Sequence, residues 1–288
     1  LFVAKDKVGD DVAKHLGNAV RVHDRSAFAP ALQQFAGKRV AADPAGSVAA
    51  IFDALDAGGA KILAVRDPVV LAKAIKNESE ISGHRAAQAR DGAALARFLK
   101  WAEAEMPKGG VTEISAAARL QAFREETGLL KDLSFDTISG TGANGAIPHY
   151  KVSEESSLPI ENGQLYLVDS GGQYEDGTTD VTRVIPVGEP TQEMCDRFTR
   201  VLKGHIAIAT AVFPAGTTGG QIDAFARRPL WEVGCDYAHG TGHGVGAYLS
   251  VHEGPQRIAA PNYPGGGPPG PLRAGMFLSN QPRYYKAG

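Results

Sequence analysis

From Glu80 onward the chain runs through the same plan twice: a long helix, a shorter helix, then a glycine-rich strand region. In the first round Ile81–Met106 places Ala94, Leu95, Phe98, Leu99, Ala102 and Met106 at helical spacing. Pro107-Lys108-Gly109-Gly110 ends that helix, Thr112 caps a second one through Thr127, and Gly128 stops it. After the segment Ser139–Pro148 (SGTGANGAIP) comes a hairpin, with strands at Gln164–Ser170 and Thr179–Val187 and a turn over Gly171–Gly177. The second round opens at Thr191 with a helix to about Phe213, carrying Met194, Phe198, Val201, Leu202, Ala209 and Val212 on one face. Gln221–Val233 is a shorter helix, although Pro229 inside it costs about 3 kcal/mol or kinks it. Asp236–Val251 reads as a glycine-rich strand, Ala259–Pro271 as a connection dominated by Pro and Gly, and Met276–Tyr285 as a strand. Two rounds of roughly 100 residues each form a duplicated half-domain, which closes around a central cleft where a site belongs.

Residues 1–77 read as a smaller α/β unit. Strands are expected at Leu1–Ala4, Val20–Val22, Lys38–Ala41 and Ile62–Val65, and helices at Asp10–Leu16 and Ser47–Ala57. Ile75–Ser79 (IKNES) reads as the linker into residues 78–288. Hydrophobic residues at 43% and charged residues at 22% suit a chain that buries a core. Thirty basic against thirty-two acidic side chains leave −2, which argues against nucleic acid or an anionic membrane as the main partner. The longest nearly apolar run, Ile206–Phe213, is far short of the ~20 residues that span a bilayer. Lys5, Asp6 and Lys7 break up any signal peptide. Two cysteines, Cys195 and Cys235, exclude a disulfide scaffold and point to a reducing, cytoplasmic compartment. A chain that opens on Leu1 reads as a fragment.

Two aspartates, Asp169 and Asp180, sit on the apolar strands of the hairpin YLVDSGGQYEDGTTDVTRV. With an even-numbered loop, cross-strand partners sum to an odd number, so Asp180 falls opposite residue 169, 171 or 173 and shares a face with Asp169. Two carboxylates on one buried face either share a proton or bind a cation; the plainer alternative is a pair of turn or strand-end aspartates. The second cluster is AHGTGHGVG, residues 238–246. His239 and His243 stand four apart, but Gly240, Gly242, Gly244 and Gly246 argue against a helix, and in an extended strand both histidines still share a face. His252 (SVHEGP) and His149 (IPHY) complete a set of four of the eight histidines in glycine- or proline-flanked segments. His15, His23, His84 and His205 read as ordinary core or surface residues. Carboxylates with imidazoles and no thiolate suit Mn²⁺, or Co²⁺ and Zn²⁺. Bridging carboxylates imply two ions roughly 3.5–4 Å apart, an arrangement that activates water against a carbonyl or phosphoryl group. There is no Walker loop, no GxSxG and no HExxH; SGTGANG matches GxGxxG only loosely.

Together these segments resemble the Xaa-Pro aminopeptidase (aminopeptidase P) branch of the pita-bread metallopeptidases. The matching stretches are PHY at 148–150, LVDSGGQYEDGTTDVTR at 167–183, HGTGHGVG at 239–246, SVHEGP at 250–255 and GMFLSNQPRYY at 275–285. The resemblance implies an α/β (α+β) fold: a pita-bread catalytic domain at 78–288, behind a creatinase-like N-terminal domain at 1–77. It implies a dinuclear site with Asp169, Asp180 and His243 as ligands, and His149, His239 and His252 as catalytic residues lining the substrate site. It further implies attack by a metal-held hydroxide on the carbonyl before a penultimate proline, in a homodimer acting on peptides. Prolidase, acting on dipeptides, the metal-free creatinase and a non-catalytic peptide-binding module on the same fold are the alternatives. Two departures stand out. Where the family reads N-E-P-G-Y-Y, this chain reads Asn280-Gln281-Pro282-Arg283-Tyr284-Tyr285, so Gln281 offers a metal only a neutral carbonyl oxygen and Arg283 adds a cation beside the site. The family's last glutamate ligand, on the closing strand, would fall beyond Gly288, which leaves an unpaired sheet edge.

Overall fold

The computed structural model describes residues 1–263 and 270–286. The chain divides into two compact units, Leu1–Val69 and Val70–Gly288. The first holds two short parallel strand pairs. β1 (Phe2–Val3) runs beside β2 (His23–Asp24), with α1 (Asp10–Leu16) between them in sequence. After α2 (Phe28–Gln33), β3 (Arg39–Ala42) pairs with β4 (Lys61–Ala64) through the crossover helix α3 (Ala49–Ala57). α3 buries Ala54 and Leu55, and it lies so close to α2 that a Cβ on Gly58 would stand 2.5 Å from Gln33 Cα. The strand expected at Val20–Val22 forms instead at His23–Asp24, and α2 is an additional helix. It follows Asp24, whose side chain accepts the Ser26 N–H and starts a helical turn from a run with little apolar periodicity.

Helix α4 (Pro68–Ala74) precedes α5 (Glu78–Glu105). The end of the IKNES segment is helical: Asn77 and Glu80 form a capping box, so Glu78 and Ser79 belong to the first turn of α5. Thr112 and Ser115 cap α6 (Glu113–Glu125) in the same manner, and Gly128 leaves it with φ +68°. The two helices pack on an antiparallel sheet in the order β10-β7-β6, formed by Val181–Pro186, Leu165–Ser170 and Ile138–Thr141. Leu95, Phe98, Ala102, Met106, Leu120, Phe123, Tyr166 and Val168 fill this core. Ile138 and the first three residues of SGTGANG form a strand, β6, fully buried although only four residues long.

Between β7 and β10 the chain does not simply turn over Gly171–Gly177. β8 (Gly172–Tyr174) and β9 (Gly177–Thr178) pair around a two-residue turn at Glu175–Asp176, and β8 also pairs with β5 (Asp132–Leu133). The second round packs α7 (Gln192–Ala209) on α8 (Gly219–Trp231), and Ile208, Ile222, Ala226, Ile258 and Leu272 form its core. α7 ends at Ala209, short of Phe213, where Pro214 disfavours helical backbone at the preceding residue. Of its expected apolar face, Phe198, Leu202 and Val212 remain exposed.

Two expected strands shrink. Asp236–Val251 contains only β11 (Gly242–Gly244), paired with β12 (Glu253–Ile258) across a bulge between His243 and Gly244. Met276–Tyr285 contains only isolated bridges, Ile75 with Met276 and Gly244 with Leu278. Gly-rich backbone and Pro282, which has no N–H to donate, leave too few ladder bonds for a longer strand. Residues 264–269 of the Ala259–Pro271 stretch lie outside the described residues. Among the described residues no helix is long and apolar enough to cross a membrane.

Candidate metal centre

β7, β10 and β11 meet at the centre of the larger unit's chemistry. The β7–β10 ladder pairs Val181 with Ser170 and Thr182 with Asp169. Carried one step further, that register sets Asp180 level with Gly171, on the same face as Asp169. A side chain at 171 would not fit, since its Cβ would stand 1.9 Å from Thr179 O. β11 brings His243 to this face, with Nε2 3.1 Å from Asp180 Oδ2. The His252 ring stands edge-on to that of His243, with centroids 4.2 Å apart. Among the described residues Asp180, His243 and His252 form the one group whose ligand atoms all lie within 4.8 Å of one another.

The ring nitrogens are assigned by their partners. His243 Nδ1 lies 2.9 Å from Gly244 O and His239 Nδ1 lies 2.8 Å from Gly240 O; a carbonyl can only accept, so each Nδ1 carries the proton. That leaves Nε2 of each ring as the atom that binds or accepts. Burial works against the charged form of His243, but the Asp180 carboxylate and the Gly244 carbonyl outweigh it and raise the pKa. His239 is pushed down by burial, helped by Arg283 and Arg227, and stays neutral, with its buried Nε2 unpartnered. His252 is also lowered, by burial and by its neighbour His243. His149 is exposed in a turn, close enough to be an electrostatic neighbour of both His239 and His252.

The alternating glycines have a steric reason. Built Cβ atoms would stand 2.0 Å from Ser279 O at Gly242, 2.1 Å from Glu253 O at Gly244 and 2.3 Å from Leu249 O at Gly246. β11 is thus squeezed between β12 and residues 278–281, whose backbone donates from Ser279 N to His243 O and from Gln281 N to Thr241 O. Gln281 enters the site through this backbone contact.

Several supporting residues were not apparent in the sequence. Arg227 on α8 binds Asp223 at 2.6 Å and donates to Tyr237 O and His239 O, while Asp223 accepts from Thr241, so α8 clamps the segment leading to His243. Arg227 and Asp223 are four apart on one helix face, a signal available in sequence. Behind Asp169, buried Arg124 binds Asp91 at 2.7 and 3.0 Å and donates to Ser170 Oγ. Glu113 gathers the loop before β7, accepting from Thr141 N, Asn144, Tyr150 OH and Leu158 N. Glu253, next to His252, is ion-paired with buried Lys76.

The pattern of metallopeptidase family M24 matches residues 82–288. The chain belongs to that family. The M24 part is preceded by a match to the creatinase/prolidase N-terminal domain at residues 1–80. This M24 chain is 45% identical over 294 residues to Xaa-Pro aminopeptidase 1 of Dictyostelium discoideum, covering 100% of the chain and 46% of that protein. It is 56% identical over 229 residues to a probable Xaa-Pro aminopeptidase P of Laccaria bicolor, covering 78% of the chain and 35% of that protein. Among solved structures, the X-prolyl aminopeptidase of Caenorhabditis elegans, described as a cytosolic enzyme with a dinuclear active site, superposes with a TM-score of 0.88 at 35% identity. The alignment covers 99% of this chain and 47% of that one. The chain thus spans less than half the length of these relatives.

The donor chemistry of this M24 site fits one divalent cation well. Asp180 and His243 converge, and the other nitrogen of His243 is anchored on a carbonyl, as metal-binding imidazoles generally are. At Asp169 the fit differs: Oδ1 is buried without a partner, but Oδ2 accepts from Arg283 at 2.5 Å. Burial raises the Asp169 pKa, with Arg283 opposing and Asp180 adding to the rise.

Proposed function

We propose that this chain carries the catalytic centre of a metal-dependent aminopeptidase that removes the N-terminal residue from peptides with proline at position two. The observation that carries the proposal is the convergence of Asp180, His243 and His252 on the β7–β10–β11 face of an M24 fold. In this reading Asp169, Asp180 and His243 are the metal-binding residues, with Gln281 adjacent, and His149, His239 and His252 line the substrate site. A bound divalent cation supplies Lewis acidity toward a peptide carbonyl. His239, neutral and with Nε2 free to accept, orients a substrate N–H; His252, at the exposed side of the cluster, exchanges a proton with solvent and substrate. The proposal extends to Mn²⁺ as the working ion, a homodimer in the cytoplasm, and a domain division near residue 77.

The test is hydrolysis of a short Xaa-Pro-Xaa peptide with added Mn²⁺, beside the same peptide with Ala at position two. Cleavage confined to the proline peptide is expected. His252→Ala should lower turnover by about 10²-fold with bound metal unchanged; loss of metal would instead make His252 a ligand. Binding of the proline peptide without cleavage would favour a non-catalytic peptide-binding module, the reading to which Gln281 and Arg283 point.

A further inference from the structure

A pocket that holds two dications, as the dinuclear site of the C. elegans X-prolyl aminopeptidase is described, has no use for a guanidinium among its ligands. Arg283 nevertheless occupies this one. Its side chain is 14% exposed, against 8% for Asp169. Nη2 donates to Asp169 Oδ2 at 2.5 Å and to Thr182 Oγ1 at 2.6 Å, while Nη1 donates to Tyr285 OH at 3.1 Å. Thr182 is the cross-strand partner of Asp169, so the guanidinium closes over one rung of the β7–β10 ladder. These contacts place a fixed positive charge on one of the two aspartates and leave the other, Asp180, facing His243 and His252.

We propose that Arg283 supplies one of the two positive charges of this centre from the chain itself, so that the protein holds a single divalent cation, at Asp180 and His243. This rests on the metallopeptidase reading above and changes the stoichiometry it would otherwise carry. A guanidinium does not deprotonate in a protein, so it cannot become neutral to admit an ion. At position 281 a glutamine brings no charge to offset one. A dication at Asp169 would therefore have to displace Arg283 from Asp169, Thr182 and Tyr285 together and leave the guanidinium buried beside it. Repulsion between like charges at such distances, away from bulk water, is large compared with the gain from one carboxylate oxygen. A cation at Asp180 and His243 faces no such obstacle, because those side chains turn toward each other and not toward Arg283.

The test counts metal, not activity. The 288-residue chain is equilibrated with Mn²⁺, dialysed, and its bound manganese measured by mass spectrometry, with electron paramagnetic resonance to separate isolated from spin-coupled ions. The wild type should hold one ion per chain with an isolated-ion spectrum. Arg283→Met keeps much of the bulk of the arginine stem and frees Asp169, so it should rise to two ions. Asp169→Asn added to Arg283→Met should return the count to one. Arg283→Gln, which keeps a polar group for Thr182, is the companion should the methionine variant fail to fold; it should also rise to two. Two ions in the wild type, a folded Arg283 variant that stays at one, or a second ion that survives Asp169→Asn would overturn the proposal while leaving the metallopeptidase reading intact. No bound ion in the wild type would overturn the metallopeptidase reading itself.

Discussion

At Gly242 a single hydrogen in place of a methyl group decides whether β11 can lie where it does. The Cβ of an alanine there would stand 2.0 Å from Ser279 O, a backbone atom that cannot swing away as a flexible side chain would. Gly242→Ala should therefore cost roughly 1–3 kcal/mol, the range for forced overpacking, and displace His243, one residue on. Urea unfolding measures the first effect and a Mn²⁺ titration the second; unchanged values of both would mean that the contact with residues 278–281 is not what the glycine serves. The alternation of glycines was legible in the sequence because period-two spacing marks a strand face. So was the shared face of Asp169 and Asp180, since every odd register sum gives it, and the ladder has 351. The grip of Arg283 on Asp169 was not. The two residues are 114 positions apart, and whether a cation beside a site pairs with it or points away depends on how the segment after β12 returns along β11, which no local pattern encodes.

The long periodic elements form close to where the spacing puts them, because an amphipathic stripe and a cap specify a helix within a few residues. α5 and α6 are examples, with Asn77 and Thr112 satisfying their first-turn N–H groups. Short glycine-rich segments resisted the same reading, since β11 and residues 276–285 are extended by virtue of what they pack against and not by their own propensity. α8 shows a local rule overridden by packing. Pro229 lies inside it, yet the helix continues to Trp231, held by buried Leu230 and by Arg200, which donates to Pro229 O at 2.8 Å. Proline in a helix interior costs about 3 kcal/mol against alanine, while its ring returns up to about 1 kcal/mol by restricting the unfolded chain. Pro229→Ala should thus raise stability by about 2 kcal/mol, read as a higher urea midpoint at an unchanged slope. A variant no more stable than the wild type would mean that the missing N–H is already offset where it stands.

Over the whole molecule the twofold plan was the most legible property, because it rests on the order of elements and not on their exact ends. The response of stability to pH depends instead on where each histidine comes to rest. His84 has nothing in its sequence context to single it out, but it stacks on Phe277 with ring centroids 4.1 Å apart, and its Nδ1 is buried without a partner. Burial lowers its pKa below 6.5, and nearby Lys76 lowers it further; the other polar neighbour, Gln88, is uncharged. Between the lowered folded value and 6.5, the unfolded chain binds more protons than the folded one, so stability falls as pH falls through that window and is fully present above it. His243 has the opposite sign: its raised pKa gives stability that is complete below 6.5 and lost as pH rises through its folded value. His239 and His252, whose pKa values are also lowered, act in the same direction as His84, so the wild type mixes opposed slopes, and His84→Phe removes one contribution to the first while keeping an aromatic ring against Phe277. In metal-free protein, the melting temperature of His84→Phe should drop less than that of the wild type between pH 7.5 and pH 5.5. Equal drops would show that His84 takes up its proton in the folded chain as readily as in the unfolded one.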